Sequence, residues 1–118
     1  MYSAILVQRQ DITGDGYADY LILGECPSPT SSWPQIVFVV DGASDPAAPR
    51  LLGRLGTKDY FRGAQVSVSG TGRNATIVVS GQGLSKNAAL CCPDIILTIK
   101  YRWSGQTLKE VGRRQIPI

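Results

Sequence analysis

No histidine occurs anywhere in the 118 residues. That absence removes the imidazole general base, the Ser-His-Asp and Cys-His nucleophile pairs and histidine zinc sites together. No apolar run is long enough to cross a bilayer, since "QIVFVV" and "DIILTI" have only strand length. Charge is sparse as well: charged residues make up 18% and the net balance is +3. All of the 12 basic residues except Arg9 lie at or after Arg50, mostly singly, without the aromatic interleaving of a nucleic-acid reader. No nucleic-acid partner and no membrane span are expected. Cysteine is limited to 3 residues, with neither C-x-x-C spacing nor a second ligand pair for zinc or dithiol chemistry.

What is present is turn-forming and strand-forming. The 13 glycines and 7 prolines imply many tight turns, and 43% hydrophobic residues suit a folded core in a single domain over 1–118. The dominant period is two. "AILVQ", "YADYLILGE" and "QIVFVVD" read as strands, the second apolar enough for burial on both faces at its middle, and "RLLGRLG" as a short edge strand. "AQVSVSG", the turn "TGRN" and "ATIVVSG" form a hairpin. Along "DIILTIKYRW", Ile95, Leu97, Ile99, Tyr101 and Trp103 fall on one face and Ile96, Thr98, Lys100 and Arg102 on the other. Ser104-Gly105 is expected to be a two-residue hairpin loop before "QTLKEVG". Only "LSKNAAL" offers a helical turn, too short to stand alone. The expectation is an all-β domain, an antiparallel sandwich or open barrel of about seven to eight strands with little helix, the pattern of short alternating strands between turn signals.

The stretch "DITGDGYAD" is the one candidate ion site. Side-chain oxygens of Asp11, Thr13, Asp15 and Asp19 and the backbone carbonyl of Tyr17 recur at the spacing by which a loop wraps donors around calcium, and Gly16 permits the sharp turn. Thr13 supplies a hydroxyl where a carboxylate is preferred, and Ile22 stands where a bidentate acid belongs. The loop runs on into a strand, which excludes an EF-hand. The alternative is a plain structural turn, in which Asp11 and Asp15 accept from their own backbone and Gly14 and Gly16 supply positive φ.

A disulfide from Cys26 to Cys91 or Cys92 would close a loop of some 65 residues, worth roughly 4 kcal/mol in a chain-entropy account, and would place the protein in an oxidising compartment. The alternative is three reduced, buried cysteines in a cytosolic protein. "MYSAILVQRQD" has no basic start and no small-residue cleavage site, so the export reading expects this chain to be the mature part or an excised domain.

The acidic loop resembles the D-x-D-G-D-G-x-x-D loops of secreted FG-GAP-type repeats. Over nearly the whole chain, the succession "DITGDGYADYLILGEC", "QIVFVVDGASDPAAPRLLGRL", "VSVSGTGRNATIVVSG" and "ALCCPDIILTIKYRWSGQTL" resembles a domain of exported actinobacterial proteins, similar to the LppP/LprE-like lipoproteins and to extracellular sensor domains. The resemblance implies an extracytoplasmic, disulfide-bonded, non-enzymatic binding or sensor domain, secreted or attached to the cell surface, whose partner is a protein or cell-envelope ligand. Two other roles compete with it. A carboxylate-dependent hydrolase would need a pair among Asp41, Asp59 and Asp94 set across a cleft, and each of these reads as a turn or cap residue. A small inhibitor or adhesin would present "PSPTSSWP", with Trp33 as the interface anchor.

Overall fold

A computed structural model describes residues 3–25, 35–86, 88–89 and 92–118. It is all-β, with eight strands: β1 (Ser3–Gln10), β2 (Asp19–Glu25), β3 (Gln35–Val40), β4 (Leu51–Leu55), β5 (Arg62–Ser69), β6 (Thr76–Gly83), β7 (Ile95–Trp103) and β8 (Leu108–Pro117). The first four form one antiparallel meander in the order β1-β2-β3-β4, and the last four form another, β5-β6-β7-β8. An isolated bridge between Gln35 and Phe61 joins them at a corner, so the architecture is a sandwich rather than a closed barrel. β4 is an edge strand, as its length and glycine suggest.

The core lies between the inner faces. Leu21, Val37 and Val39 from the first sheet meet Ile77, Val79, Leu97 and Ile99 from the second, with Ile12 and Phe61 filling the ends. Each is nearly or wholly shielded from solvent, and burial of an aliphatic side chain of this size stabilises by about 1.5–3 kcal/mol. Alternation decides which residues do this. In β7, Ile95, Leu97, Ile99 and Tyr101 are buried while Ile96, Lys100 and Arg102 are exposed, as the pattern predicts.

Two local expectations need correction. Ser104 to Thr107 forms a four-residue loop, not a two-residue one: Ser104 N–H donates to the Thr107 carbonyl at 2.8 Å and Trp103 pairs with Leu108. The serine is the reason, because its Oγ accepts from Thr107 N–H at 3.1 Å and from Gln106 N–H at 3.4 Å, while Gly105 takes a φ of 101°. In the middle of β2, Leu21 is fully buried but Ile22 only half so, because nothing in the described structure covers the outer face of its sheet.

Up-and-down connectivity sends the β1–β2, β3–β4, β5–β6 and β7–β8 connections to one end. Gly72 N–H donates to the Asp11 carbonyl at 2.9 Å, tying two of them across the sheets. The end of β2 and the start of β3, the β4–β5 connection, and the end of β6 and the start of β7 lie at the other end. Cys92 shortly precedes β7 at that end, and Glu25, which precedes Cys26 in sequence, ends β2 on the same side.

Candidate metal centre at the loop end

The β1–β2 loop is built by its acids. Asp11 Oδ1 accepts from Thr13 N–H at 3.2 Å and Gly14 N–H at 2.8 Å, and its Oδ2 accepts from Gly16 N–H at 3.0 Å. Gly14 and Gly16 sit at φ 88° and 87°, a backbone state that glycine enters without penalty. Asp15 Oδ1 accepts from Tyr17 N–H at 2.9 Å. Asp11 and Asp15 therefore act as the anchors of Asx turns.

Asp19 plays a different part. Its side chain has no exposed surface, and both oxygens accept backbone donors: Oδ2 from Ile12 N–H at 2.8 Å, Oδ1 from Gly42 N–H at 2.9 Å. It thereby staples its own loop to the β3–β4 connection. Close approach there requires glycine, since a Cβ at Gly42 would stand 1.6 Å from the Ala18 carbonyl oxygen. Asp41, at the end of β3, accepts from Ala43 N–H at 3.0 Å and lies 3.9 Å from Arg50.

This junction gathers three carboxylates. Oxygens of Asp15, Asp19 and Asp41 all lie within 4.8 Å of one another. Burial first, then the charges of Asp15 and Asp41, push the Asp19 carboxyl up, against the lowering effect of its two backbone donors. Each carboxylate oxygen that accepts one N–H keeps a second lone pair, so the trio could take a hard cation that prefers oxygen.

Two of the five residues singled out in the loop, Asp15 and Asp19, thus belong to the cluster, and Asp41 completes it from 22 positions beyond Asp19 in the chain. Asp11 lies outside the cluster, its carboxylate accepting three backbone donors of its own loop. Tyr17 is exposed and donates its N–H to Asp15. Thr13 faces elsewhere: it lines a cleft of about 480 Å³ with Arg73, Trp103, Ser104 and Gly105, and its Oγ1 is buried with no hydrogen-bond partner among the described residues. The signal for Asp41 was the Asp-Gly that ends "QIVFVVDG", legible as a turn but not as a neighbour of Asp19.

Asp59 and Asp94 lie far from this end. Asp59 pairs with Arg113 at 3.0 Å, and Asp94 accepts from the backbone N–H and hydroxyl of Ser85, which holds its carboxyl below the usual range. Asp41, Asp59 and Asp94 therefore occupy three separate connections. Cys92 is disulfide-bonded. Cys26, Cys91 and Trp33 lie outside the described residues, and with them the pairing and the proposed aromatic anchor. No known family model matches the chain, and neither the curated proteins nor the solved structures provide a match.

Proposed function

We propose that this chain is a non-catalytic, extracytoplasmic binding domain of the exported, lipoprotein-like kind, whose loop end takes a calcium ion. The observation that carries the reading is the trio Asp15, Asp19 and Asp41, carboxylates from the β1–β2 loop, the start of β2 and the β3–β4 connection, drawn within 4.8 Å. Calcium suits an oxygen-only donor set with flexible geometry. The disulfide at Cys92 supports an oxidising compartment, and the sandwich supports presentation of loops on a rigid body.

Calorimetric titration of the chain with calcium tests it. Weak binding is expected, with a Kd on the order of 10⁻⁴ to 10⁻³ M as in extracellular modules, and Asp15→Asn should abolish it without unfolding the domain. Heat indistinguishable from dilution, or binding unchanged in Asp15→Asn, removes the ion. Peptide mapping of unreduced material tests the compartment: a bridge from Cys26 to Cys92 is expected, and recovery of Cys26 as a free thiol removes the long-range staple.

A further inference from the structure

The basic residues, scattered along the sequence, are gathered by the register. On the outer face of the second sheet, Arg102 stands directly opposite Lys109, Thr98 opposite Arg114 and Lys100 opposite Gly112. Lys100, Arg102, Lys109 and Arg114 are all exposed. The one acid within β5–β8, Glu110, pairs with Tyr101 on the opposite face, so the stripe carries no carboxylate of its own. Alternate residues on a strand lie about 6.5–7 Å apart, which spaces the cations regularly along β7 and β8.

Such a stripe works against the fold. Like charges placed directly across a strand pair repel, and Arg102 faces Lys109 with no acid within ion-pair reach of either among the described residues. Cations on the edge strand β8 guard against edge-to-edge pairing, but Lys100 and Arg102 lie on β7, which is paired on both sides. Arg102 has a structural partner, since its guanidinium donates to the Arg73 carbonyl at 3.0 Å. Lys100, Lys109 and Arg114, however, make no ion pair among the described residues, and where a local rule is broken without a structural return a functional cause is the expected one. At Gly112 the missing side chain leaves a depression of about 300 Å³ lined by Thr98, Lys100, Gly112, Arg113 and Arg114. Its Thr98 hydroxyl is hydrogen-bonded to Ser80 at 3.1 Å. A carboxylate seated there meets an ammonium, a guanidinium and a hydroxyl.

We propose that the outer face of β5–β8 binds a linear polysaccharide bearing carboxylates. The rest of the face selects the class. Ser67, Thr76, Ser80 and Gln82 offer hydroxyl and amide groups suited to sugar hydroxyls, and β5–β8 present no aromatic ring on this face on which a nucleobase could stack. The exposed aliphatics Ile96 and Ile116 form one pair at its far end beside Thr98 and Arg114, and this pair does not extend along the stripe to Arg102 and Lys109. This inference names the ligand for the binding role proposed for the chain and rests on that reading. Calcium titration and cysteine mapping examine that role without any polymer, so failure of one is separable from failure of the other.

The test titrates the full chain with polygalacturonate and with its methyl ester, which keeps the hydroxyls and removes the charge. The acid form should bind, the ester about tenfold or more weakly, and affinity should fall steeply between about 50 and 200 mM salt. Replacing Lys100→Gln and Arg114→Gln together should cost about tenfold in affinity, while Lys58→Gln, in the β4–β5 connection, should leave it within about twofold. Lys109→Glu should weaken polymer binding yet raise the melting temperature, because it turns a repulsive pair into an attractive one; lost binding with a lowered melting temperature would assign the stripe to packing and overturn the proposal. Equal binding of the ester, equal loss in Lys58→Gln, or tighter binding to an oligodeoxythymidylate or to phosphatidylglycerol vesicles would overturn it as well.

Discussion

The two sheets share one core but turn opposite kinds of surface to the outside. Across the first sheet, one outward row runs Leu6, Ile22, Phe38, Arg54. Phe38 lies over Gly24, where a Cβ would stand 2.7 Å from the ring, so the row is flat and apolar from Leu6 to Phe38 and carries a charge only at Arg54 on the edge strand. The corresponding row of the second sheet runs Ser67, Val78, Lys100, Gly112. Period-two alternation fixes only that one face of each strand is apolar. The residues on the other face are unconstrained by the core, and it is there that the sheets diverge. The first resembles a surface that excludes water, the second a surface that attracts anions.

Neighbouring residues on one strand break the comparison most sharply. Leu21 is 0% exposed and faces the core, whereas Ile22 is half-buried on the outer row. Leu21→Ala should cost about 2–5 kcal/mol, as buried large-to-small changes do, and Ile22→Ala about 1 kcal/mol. In the second sheet the same step should be wider still. Ile99→Ala should cost about 2–5 kcal/mol, and Lys100→Ala should stay within about 0.5 kcal/mol. Urea unfolding of the four variants measures this. Equal costs at Leu21 and Ile22 would mean that the outer face of the first sheet is covered in solution, by a second copy of the chain for instance.

The next effect in size belongs to Asp19, which lies on neither outer face but pins the loop end to the first sheet. In Asp19→Asn, one amide group can no longer accept, so the N–H of Ile12 or Gly42 loses its partner in a buried site, at about 1–3 kcal/mol. The pH dependence has a definite sign. The folded carboxyl is raised above 3.8, so between that value and its folded pKa the native state holds a proton that the unfolded chain has lost. Stability from this group therefore falls as pH rises through that interval and is recovered on acidification. The gap between the parent chain and Asp19→Asn should widen as pH falls toward 4, read by thermal unfolding in steps of pH, and a gap that narrows would refute the assignment.

Much of this is legible in the chain itself, for reasons that differ by residue. The inward set of β7 is legible because alternation is a local property, written in "DIILTIKYRW". The β5–β6 hairpin is legible from "TGRN", where Gly72 and its neighbours make the 3₁₀ turn between the strands. The cation stripe is not, because Lys109 and Arg114 join Lys100 and Arg102 only through a register that Val111 shifts by one at the β7–β8 bulge. Single basic residues in sequence thus become a surface in space. The acidic loop is legible in part. Its spacing marks Asp15 and Asp19, but the partner Asp41 comes from another strand end, and Asp11, the first acid of the pattern, lies outside the cluster and accepts three N–H groups. Spacing along a loop counts oxygens without saying which of them the fold brings together.

The smallest expected effect sharpens the comparison at two adjacent arginines. Arg113 points inward at the edge, where its guanidinium bridges Asp59 at 3.0 Å and Glu110 at 2.8 Å. Arg114, one residue on, points outward into the stripe and pairs with no carboxylate among the described residues. The Arg113 side chain is 42% exposed, so water screens the bridge, and Arg113→Gln should cost only about 0.5–1 kcal/mol, shrinking in high salt. Arg114→Gln should cost nothing measurable in stability, or add slightly to it by removing repulsion, since its role lies with a ligand rather than with the fold. Glu110 gives the sign of the acid dependence. Its carboxyl is held low by Arg113, so as pH falls the unfolded chain takes up the proton first. The bridge therefore stabilises above the ordinary glutamate range and fades as pH drops through the folded value. The difference between Arg113→Gln and the parent chain should vanish in acid, while Arg114→Gln should track the parent at every pH. Parallel loss in both variants would show that the inner and outer positions of β8 do not differ in kind.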